Sequence, residues 1–200
     1  MLFYYYGKKS SMRMKGLSLT GLFLSATLTV ALSPAAHAID FRSQLENSVF
    51  GQAGRKHSID PYLIYAVALV ESAHGGHVEK GFVSPHLYAV RSSKGAAYPK
   101  SKAEASVVLQ SHIQGAKSLR EIDVCLMQVN LGWNGHRVSK YENLFDLEVC
   151  VDAGAAILKE NLASTNNLYE AIGRYNTWGN REAANKYAIK VVDIYNRLPR

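Results

Sequence analysis

The stretch DPYLIYAVALVES, from Asp60 to Ser72, limits the possible folds of this chain more than any other. Asp60 is a favourable helix N-cap, and Pro61 suits the first helical position because no backbone N–H is needed there. The residues that follow are almost all apolar, so the pattern predicts a helix that is buried on most of its faces. Gly75 and Gly76 come next and are a stop signal for this helix.

Glu71 is the one charged residue inside this apolar helix, and it lies in the last turn. Apolar surroundings and the negative end of the helix macrodipole both disfavour ionisation, so the pKa of Glu71 is expected to be raised. A carboxyl that stays protonated near neutral pH is what a general acid requires. The alternative on this stretch alone is a glutamate at a helix end that simply reaches water.

The first 38 residues have the pattern of a secretory signal peptide. Four basic residues precede an uncharged apolar stretch from Gly16 to Leu32, and Ala36-His37-Ala38 supplies an A-x-A cleavage pattern. We expect cleavage after Ala38, which leaves a domain of residues 39–200 in the periplasm or the medium with no stable membrane span. The alternative is an uncleaved N-terminal anchor, because the apolar run is nearly long enough to cross a membrane.

The charge balance excludes one class of partner. Cleavage after Ala38 removes four basic residues and no acidic ones, so the formal net charge falls from +7 to +3. No basic block remains that would suggest nucleic acid as a partner. With 48% hydrophobic and 20% charged residues, the chain suits a single globular domain with a real core, and we expect a monomer.

Cys125 and Cys150 are the only cysteines, and both lie in the exported part. An even number of cysteines in an oxidising compartment favours a disulfide, which would add roughly 3–4 kcal/mol to the free energy of unfolding. The alternative is two buried thiols.

The remaining pattern predicts a mainly helical domain with one loop-rich lobe. A first amphipathic helix is expected from Phe41 to Ala53, closed by Gly54. The segment Gly75 to Arg120 is rich in turn residues and holds one helix, from the capping box at Ser101 to about Gln114; such a long insert often covers a groove. Residues 122–129 form an apolar run that fits helix or strand. Three further helices are expected: one that begins after Asp146, one from Asn167 to Arg174 and one from Asn180 to Leu198.

Three patches at predicted helix ends or turns combine an apolar or aromatic surface with an amide or a hydroxyl. They are Glu71-Ser72, CLMQVN at residues 125–130 and GRYNTWG at residues 173–179. Sugars bind to such surfaces, because their ring faces stack on aromatic side chains and their hydroxyl and acetamido groups form hydrogen bonds.

In order and content these patches resemble the soluble lytic transglycosylase (SLT-type, goose-lysozyme-like) family, glycoside hydrolase family 23. Its motifs are an E-S pair that closes a buried helix, a G-L-M-Q element and an A-Y-N element. The resemblance runs from about Phe41 to the C-terminus and implies a lysozyme-like α+β fold, mainly helical, with a groove. Within the family the chain is most similar to small exported enzymes that accompany type IV secretion, conjugation and pilus assembly, whose machinery would be a partner.

The resemblance implies cleavage of peptidoglycan glycan strands between N-acetylmuramic acid and N-acetylglucosamine without water, leaving a 1,6-anhydro sugar. Glu71 matches the single catalytic acid/base. Glycosidases usually need a second carboxylate, but here the N-acetyl carbonyl of the substrate can take that part. Asp123 is a rival for that second carboxylate but is interpreted as structural, and no cofactor is implied. The alternatives are a hydrolytic muramidase on the same scaffold and an inactive peptidoglycan-binding assembly factor.

The same resemblance implies roles for residues of all three patches. Ser72 would hold polar groups of the substrate, Met127 and Gln128 would line the groove, and Tyr175 and Asn176 would hydrogen-bond the acid and the N-acetyl group. Trp178 is a candidate sugar-stacking platform. The alternative for Met127, Tyr175 and Trp178 is ordinary packing.

Two residues depart from the family pattern. Cys125 replaces a glycine, and Arg174 replaces a small residue.

Three histidines suggest a metal site, namely His74, His77 and His86. However, no H-E-x-x-H motif and no second E-x-x-H motif occurs, so no metal is expected.

Overall fold

The structure is a computed structural model that describes residues 4–5, 41–72 and 82–200. The helices in these ranges are α1 (41–46), α2 (Val49–His57), α3 (Pro61–Ser72), α4 (Lys102–Gly115), α5 (Leu131–Asn134), α6 (Leu147–Ala163), α7 (Leu168–Asn176) and α8 (Arg181–Arg197). The strands are β1 (Tyr4–Tyr5), β2 (Phe82–Val83), β3 (Val90–Ser92), β4 (Gly95–Ala97), β5 (Asp123–Val124) and β6 (Val129–Asn130). The expected mainly helical, lysozyme-like α+β fold is confirmed, and the structure adds a small antiparallel sheet that the sequence did not predict.

Helix α3 lies at the centre of the helical part, as its apolar sequence predicts. Its residues from Tyr62 to Leu69 are all buried, and α2, α6 and α8 contact it. The carboxylate of Asp60 accepts a hydrogen bond from the backbone N–H of Tyr62 at 2.9 Å, which is the predicted N-cap. The other oxygen of Asp60 accepts from the hydroxyl of Tyr195 in α8 at 2.6 Å. The start of α3 is therefore tied to the last helix of the chain.

The single helix expected from Phe41 to Ala53 is two helices, so that prediction is wrong. Ser48 breaks the run, because its hydroxyl accepts from the backbone N–H of Phe50 at 3.1 Å and caps α2. Gly54 does not end a helix either: α2 continues to His57. A Cβ on Gly54 would lie 2.8 Å from the carbonyl oxygen of Ile59. The glycine therefore lets the segment between α2 and α3 pack closely against α2.

The loop-rich lobe contains an antiparallel sheet with the order β4-β3-β5-β6. Strands β5 and β6 resolve the assignment that the sequence left open, since residues 122–129 form most of a hairpin in which Asp123 lies opposite Asn130. Helix α4 follows Ser101, whose hydroxyl accepts from the backbone N–H of Glu104 at 3.2 Å as the capping box predicts. A separate pair joins β1 to β2, so Tyr4 and Tyr5 lie within the predicted signal peptide and still pair with the lobe.

The last three predicted helices are present as α6, α7 and α8, with ends within three residues of those expected. Asn167 and Asn180 cap α7 and α8 through their side chains. Asp146 precedes α6 but makes no capping hydrogen bond. Its carboxylate instead accepts from the ammonium of Lys102 at 2.5 Å, which is an ion pair to α4.

The predicted disulfide is present between Cys125 and Cys150, whose Cα atoms are 6.3 Å apart. It joins the turn of the β5–β6 hairpin to α6 and so fixes the lobe to the helical part. In the described ranges, no helix is both long enough and apolar enough to cross a bilayer.

Candidate active site

A cleft of about 690 Å³ lies between the lobe and the helices, and Glu71 is among the residues that line it. The lobe supplies strand β3, the β5–β6 hairpin and α5, and the opposite side consists of α6, α7 and the residues that follow α7. Four predicted site residues line this cleft besides Glu71: Gln128, Tyr175, Asn176 and Trp178. All three sequence patches thus contribute to one cavity.

Glu71 is a partly buried carboxyl with one strong hydrogen bond. Its Oε1 accepts from the hydroxyl of Tyr187 in α8 at 2.6 Å. Burial raises the pKa of Glu71 to about 7, and nearby Asp123 adds to the rise, whereas the Tyr187 hydrogen bond and Arg91 lower it. Near neutral pH a large fraction of Glu71 therefore carries a proton at the wall of the cleft.

The hydroxyl that contacts Glu71 belongs to Tyr187 and not to Tyr175, which corrects the sequence interpretation. Tyr175 donates its hydroxyl proton to the carbonyl oxygen of Met127 at 2.9 Å. The two tyrosine rings stack with centroids 6.4 Å apart and planes 6° apart, so Tyr175 supports the partner of the acid. The sequence does not identify this contact, because the helical period of α8 does not reveal where the hydroxyl of Tyr187 lies.

Both tyrosines act as hydrogen-bond donors across the range in which Glu71 titrates. Burial, together with the charge of Glu71, raises the pKa of Tyr175 and the pKa of Tyr187 well above the usual value for tyrosine. The Tyr187 proton consequently points to Glu71 whether that carboxyl is neutral or ionised.

The turn of the hairpin explains why cysteine at position 125 is unusual. Cys125 has φ +67° and Gln128 has φ +48°, both in the left-handed region that glycine adopts most easily. Cys125 is held there by the disulfide and by a hydrogen bond from its backbone N–H to the carbonyl oxygen of Ala89 at 2.8 Å. The amide of Gln128 donates to the carbonyl oxygen of Cys125 at 2.9 Å, which orients Gln128 at the cleft wall.

Asp123 lines the same cleft as Glu71, although the sequence interpretation made it structural. Its Oδ1 accepts from the side-chain amide of Asn130 at 2.9 Å, and burial raises its pKa. Residues that are directly opposite in an antiparallel pair project to the same face, so the pairing of Asp123 with Asn130 aims both at the cleft. Assigning 122–129 as a hairpin would have identified this second carboxylate.

Two exposed indole rings lie at the cleft. Trp178 is 67% exposed, and Trp133, which the sequence interpretation missed, is 61% exposed. An arginine covers one face of each: the guanidinium carbon of Arg174 is 4.5 Å from the Trp178 ring centroid, and that of Arg120 is 4.0 Å from the Trp133 centroid. Stacking on arginine fixes the orientation of each ring, and the other face of the ring stays open to a ligand.

Arg174, the second departure from the family pattern, also lines the cleft but is anchored. Its guanidinium donates to the carboxylate of Glu170 at 2.6 Å and to the carbonyl oxygen of Ser164 at 3.0 Å. The charge at position 174 is thus used to hold α7 and Trp178.

Ser72 and Met127 do not line the cleft, contrary to the predicted contacts with substrate. Ser72 is 2% exposed, and its hydroxyl donates to the carbonyl oxygen of Ala68 at 3.1 Å and accepts from the backbone N–H of His86 at 3.1 Å. Met127 is fully buried; a Cβ on Gly154 would lie 2.6 Å from its terminal methyl carbon. Both residues support the site without lining the cleft. The hydrogen bonds of Ser72 fix the end of α3, and the carbonyl oxygen of Met127 accepts the hydrogen bond from Tyr175.

In the described ranges, no three His, Cys, Asp or Glu side chains form a cluster that could bind an ion. His74 and His77 lie outside these ranges. His86 lies in the lobe with its ring centroid 5.4 Å from that of Tyr98.

Changing Tyr187 to phenylalanine is expected to raise the pKa of Glu71 above its present value of about 7, because the hydroxyl stabilises the ionised carboxylate. The midpoint can be followed by ¹³C NMR of the Glu71 carboxyl carbon during a pH titration. Tyr175→Phe is the matched control, since its hydroxyl donates to Met127 instead. An equal shift in both variants, or none in Tyr187→Phe, would contradict the assigned hydrogen bond.

A family model described as transglycosylase SLT domain matches residues 48–191. The matched range includes α3, the β5–β6 hairpin, α7 and Tyr187. No curated protein and no solved structure matches the chain.

Proposed function

Because the chain belongs to the transglycosylase SLT domain family, whose members act on peptidoglycan, we propose that it is a peptidoglycan lytic transglycosylase. The proposed reaction cleaves the β-1,4 bond between N-acetylmuramic acid and N-acetylglucosamine. No water is added, and the muramic acid residue ends as a 1,6-anhydro sugar. The observation that carries the proposal is Glu71 in the cleft, with a pKa of about 7 and a hydrogen bond from Tyr187.

Glu71 performs both proton transfers. Protonated Glu71 gives its proton to the glycosidic oxygen as the C1–O bond breaks, and the N-acetyl carbonyl oxygen of the substrate bonds to C1. The Glu71 carboxylate then takes the proton of the C6 hydroxyl as that oxygen closes on C1 and displaces the carbonyl oxygen. The carboxylate that exists between the two steps is stabilised by the Tyr187 hydroxyl, and a pKa near the working pH suits a group that must both donate and accept.

Other residues of the cleft bind the glycan in this proposal. Gln128 and Asn176 offer amides to the hydroxyl and acetamido groups, and Trp133 and Trp178 offer flat apolar faces to the sugar rings. Asp123 lines the same cleft, and in this proposal its ionised form stabilises the positive charge that develops at C1.

Asp123 also supports a second candidate function, a hydrolytic muramidase. A carboxylate in the same cleft as the general acid is what activation of water or formation of a glycosyl-enzyme requires. The two functions differ in the product, because hydrolysis leaves a reducing end and the transglycosylase product is one water lighter.

Mass spectrometry of fragments released from purified sacculi tests the proposal. Wild-type protein is expected to release disaccharide-containing fragments with the mass of the anhydro form. Fragments with reducing ends would establish the muramidase instead. An absence of fragments from sacculi that still bind the protein would establish the inactive assembly factor.

We further propose that the protein acts outside the cytoplasm, after cleavage behind Ala38, as a monomer that opens the wall for a secretion, conjugation or pilus apparatus. The bond between Cys125 and Cys150 supports export, because disulfides persist in oxidising compartments. The small size and the CLMQVN form of the motif support the link to such an apparatus. Edman sequencing of the exported protein tests the cleavage position.

A further inference from the structure

A second groove of about 850 Å³ lies beside the cleft and shares one residue with it. We call it the side groove; it is formed by the segment before β5, by α5 and by residues 135–142. Arg120 lines both cavities and stacks on Trp133, the indole at the cleft. The cleft and the side groove therefore meet at Arg120, beside the indole of Trp133.

The side groove combines a partly apolar floor with basic side chains at its edge. Leu131 is buried, and Leu119, Val138 and Tyr141 are half-buried and packed on the core. Arg120, His136 and Lys140 are exposed around this floor.

The cations of the side groove are available to a ligand. Within the part of the chain that the structure describes, Arg120 and Lys140 form no ion pair. Glu142, the one carboxylate among the residues that line the groove, accepts from the amide of Gln110 at 2.6 Å but keeps its negative charge. Arg120 and Lys140 outnumber it, so the lining carries one positive charge in excess. The groove therefore favours an anionic ligand that also carries small apolar groups.

We propose that the side groove binds the peptide attached to the muramic acid residue of peptidoglycan, an inference that rests on the proposed function. That peptide leaves the sugar through the lactyl ether and carries free carboxylates together with the methyl side chains of alanine. Its carboxylates meet Arg120 and Lys140, and its methyl groups lie on the floor of the groove. The side groove in this way selects glycan strands whose peptides are still in place.

The side groove lacks an open aromatic face among the residues that line it, which argues against further sugar units there. The tyrosine on its floor is half-buried against the core, and the exposed indole of Trp133 lines the cleft instead. Sugar rings prefer an open aromatic face, whereas a short acidic peptide needs cations beside a shallow apolar surface.

The test compares two substrates made from the same sacculi: soluble glycan strands with their peptides, and strands from which an amidase has removed them. Lys140→Glu is expected to lower kcat/KM about five- to tenfold on peptide-bearing strands and to leave the value on bare strands unchanged. The loss should shrink as the salt concentration rises, because screening weakens the contact. Lys190→Glu in α8 is the matched control, since it makes the same change of charge at an exposed site that lines neither cavity.

Equal losses on both substrates, or a loss with Lys190→Glu as large as with Lys140→Glu, would overturn the side-groove proposal. So would wild-type protein that treats the two substrates alike, which is the outcome expected if the groove binds a partner protein.

The affinity for each kind of strand, measured by calorimetry with the Glu71→Gln variant, provides a readout without turnover. If the wild type cleaves neither substrate, the proposed reaction fails. The side groove is then still judged by that binding: tighter binding of peptide-bearing strands that Lys140→Glu abolishes supports it, and equal binding overturns it.

Discussion

Glutamine in place of Glu71 is expected to reduce fragment release from sacculi by a factor of about 10³ or more, because the amide can neither give nor take the proton. Glutamine keeps the shape of the side chain, and its oxygen can still accept the Tyr187 hydrogen bond. Binding to sacculi should therefore persist. Released fragments are quantified by liquid chromatography with mass detection.

The same substitution should change the stability of the protein in a pH-dependent way. The folded state holds the pKa of Glu71 at about 7, above the usual value of 4.5, so wild-type folding is disfavoured once the unfolded carboxyl ionises. This cost is absent below pH 4.5, grows as the pH rises towards 7 and is constant above. Glu71→Gln should consequently melt at a higher temperature than the wild type at pH 8 and at a similar temperature at pH 4.

Glu160→Gln is the matched control for both measurements. Glu160 also lines the cleft, but its carboxylate is paired with Arg137 at 2.6 Å and is exposed. The Glu160→Gln variant should retain activity and should not melt at a higher temperature than the wild type, because the substitution only removes an exposed ion pair. Unchanged fragment release by Glu71→Gln would remove Glu71 from its proposed role, and equal losses in the two variants would show that the loss is not specific to the acid.

Removal of the disulfide should have the largest effect on stability among the changes considered. The bridge closes a loop between residues 25 apart in the sequence, and replacing both cysteines with alanine should lower the free energy of unfolding by about 3 kcal/mol. Urea denaturation with and without reductant measures the effect. Reductant should destabilise the wild type by a similar amount and leave the double variant unchanged.

A second double variant separates the effect of losing the bridge from the effect of the backbone conformation at position 125. Cys125→Gly with Cys150→Ala removes the same bond but places glycine at a φ of +67°, so it should be about 1 kcal/mol more stable than the double alanine variant. Equal stability of the two would show that the turn relaxes once the bridge is absent. A double alanine variant as stable as the wild type would refute a stabilising role for the bridge.

The sequence predicts most of the helical framework and the central position of Glu71, because those features follow from local patterns. The apolar run after Asp60, the capping residues and the cysteine count each depend on a few neighbouring residues. The structure agrees with them in α3, α4 and α8 and in the bridge. The split between α1 and α2 was missed because a single serine cap competes with an apolar period that continues across it.

The contacts inside the cleft were harder to predict, because they depend on packing between distant segments. Tyr187 lies 116 residues from Glu71, and Asp123 is aimed at the cleft only by its register with Asn130. Ser72 and Met127 match the family motifs yet are buried. A motif identifies residues that build a site, but it does not distinguish those that contact the substrate from those that hold the contacting residues in place.

Helix α8 contacts both ends of α3, through Tyr195 at Asp60 and through Tyr187 at Glu71. Loosening of α8 from α3 would therefore withdraw both hydroxyls together, one from the helix cap and one from the buried carboxyl. Local unfolding of this one helix is expected to disturb Glu71 before the rest of the fold is lost.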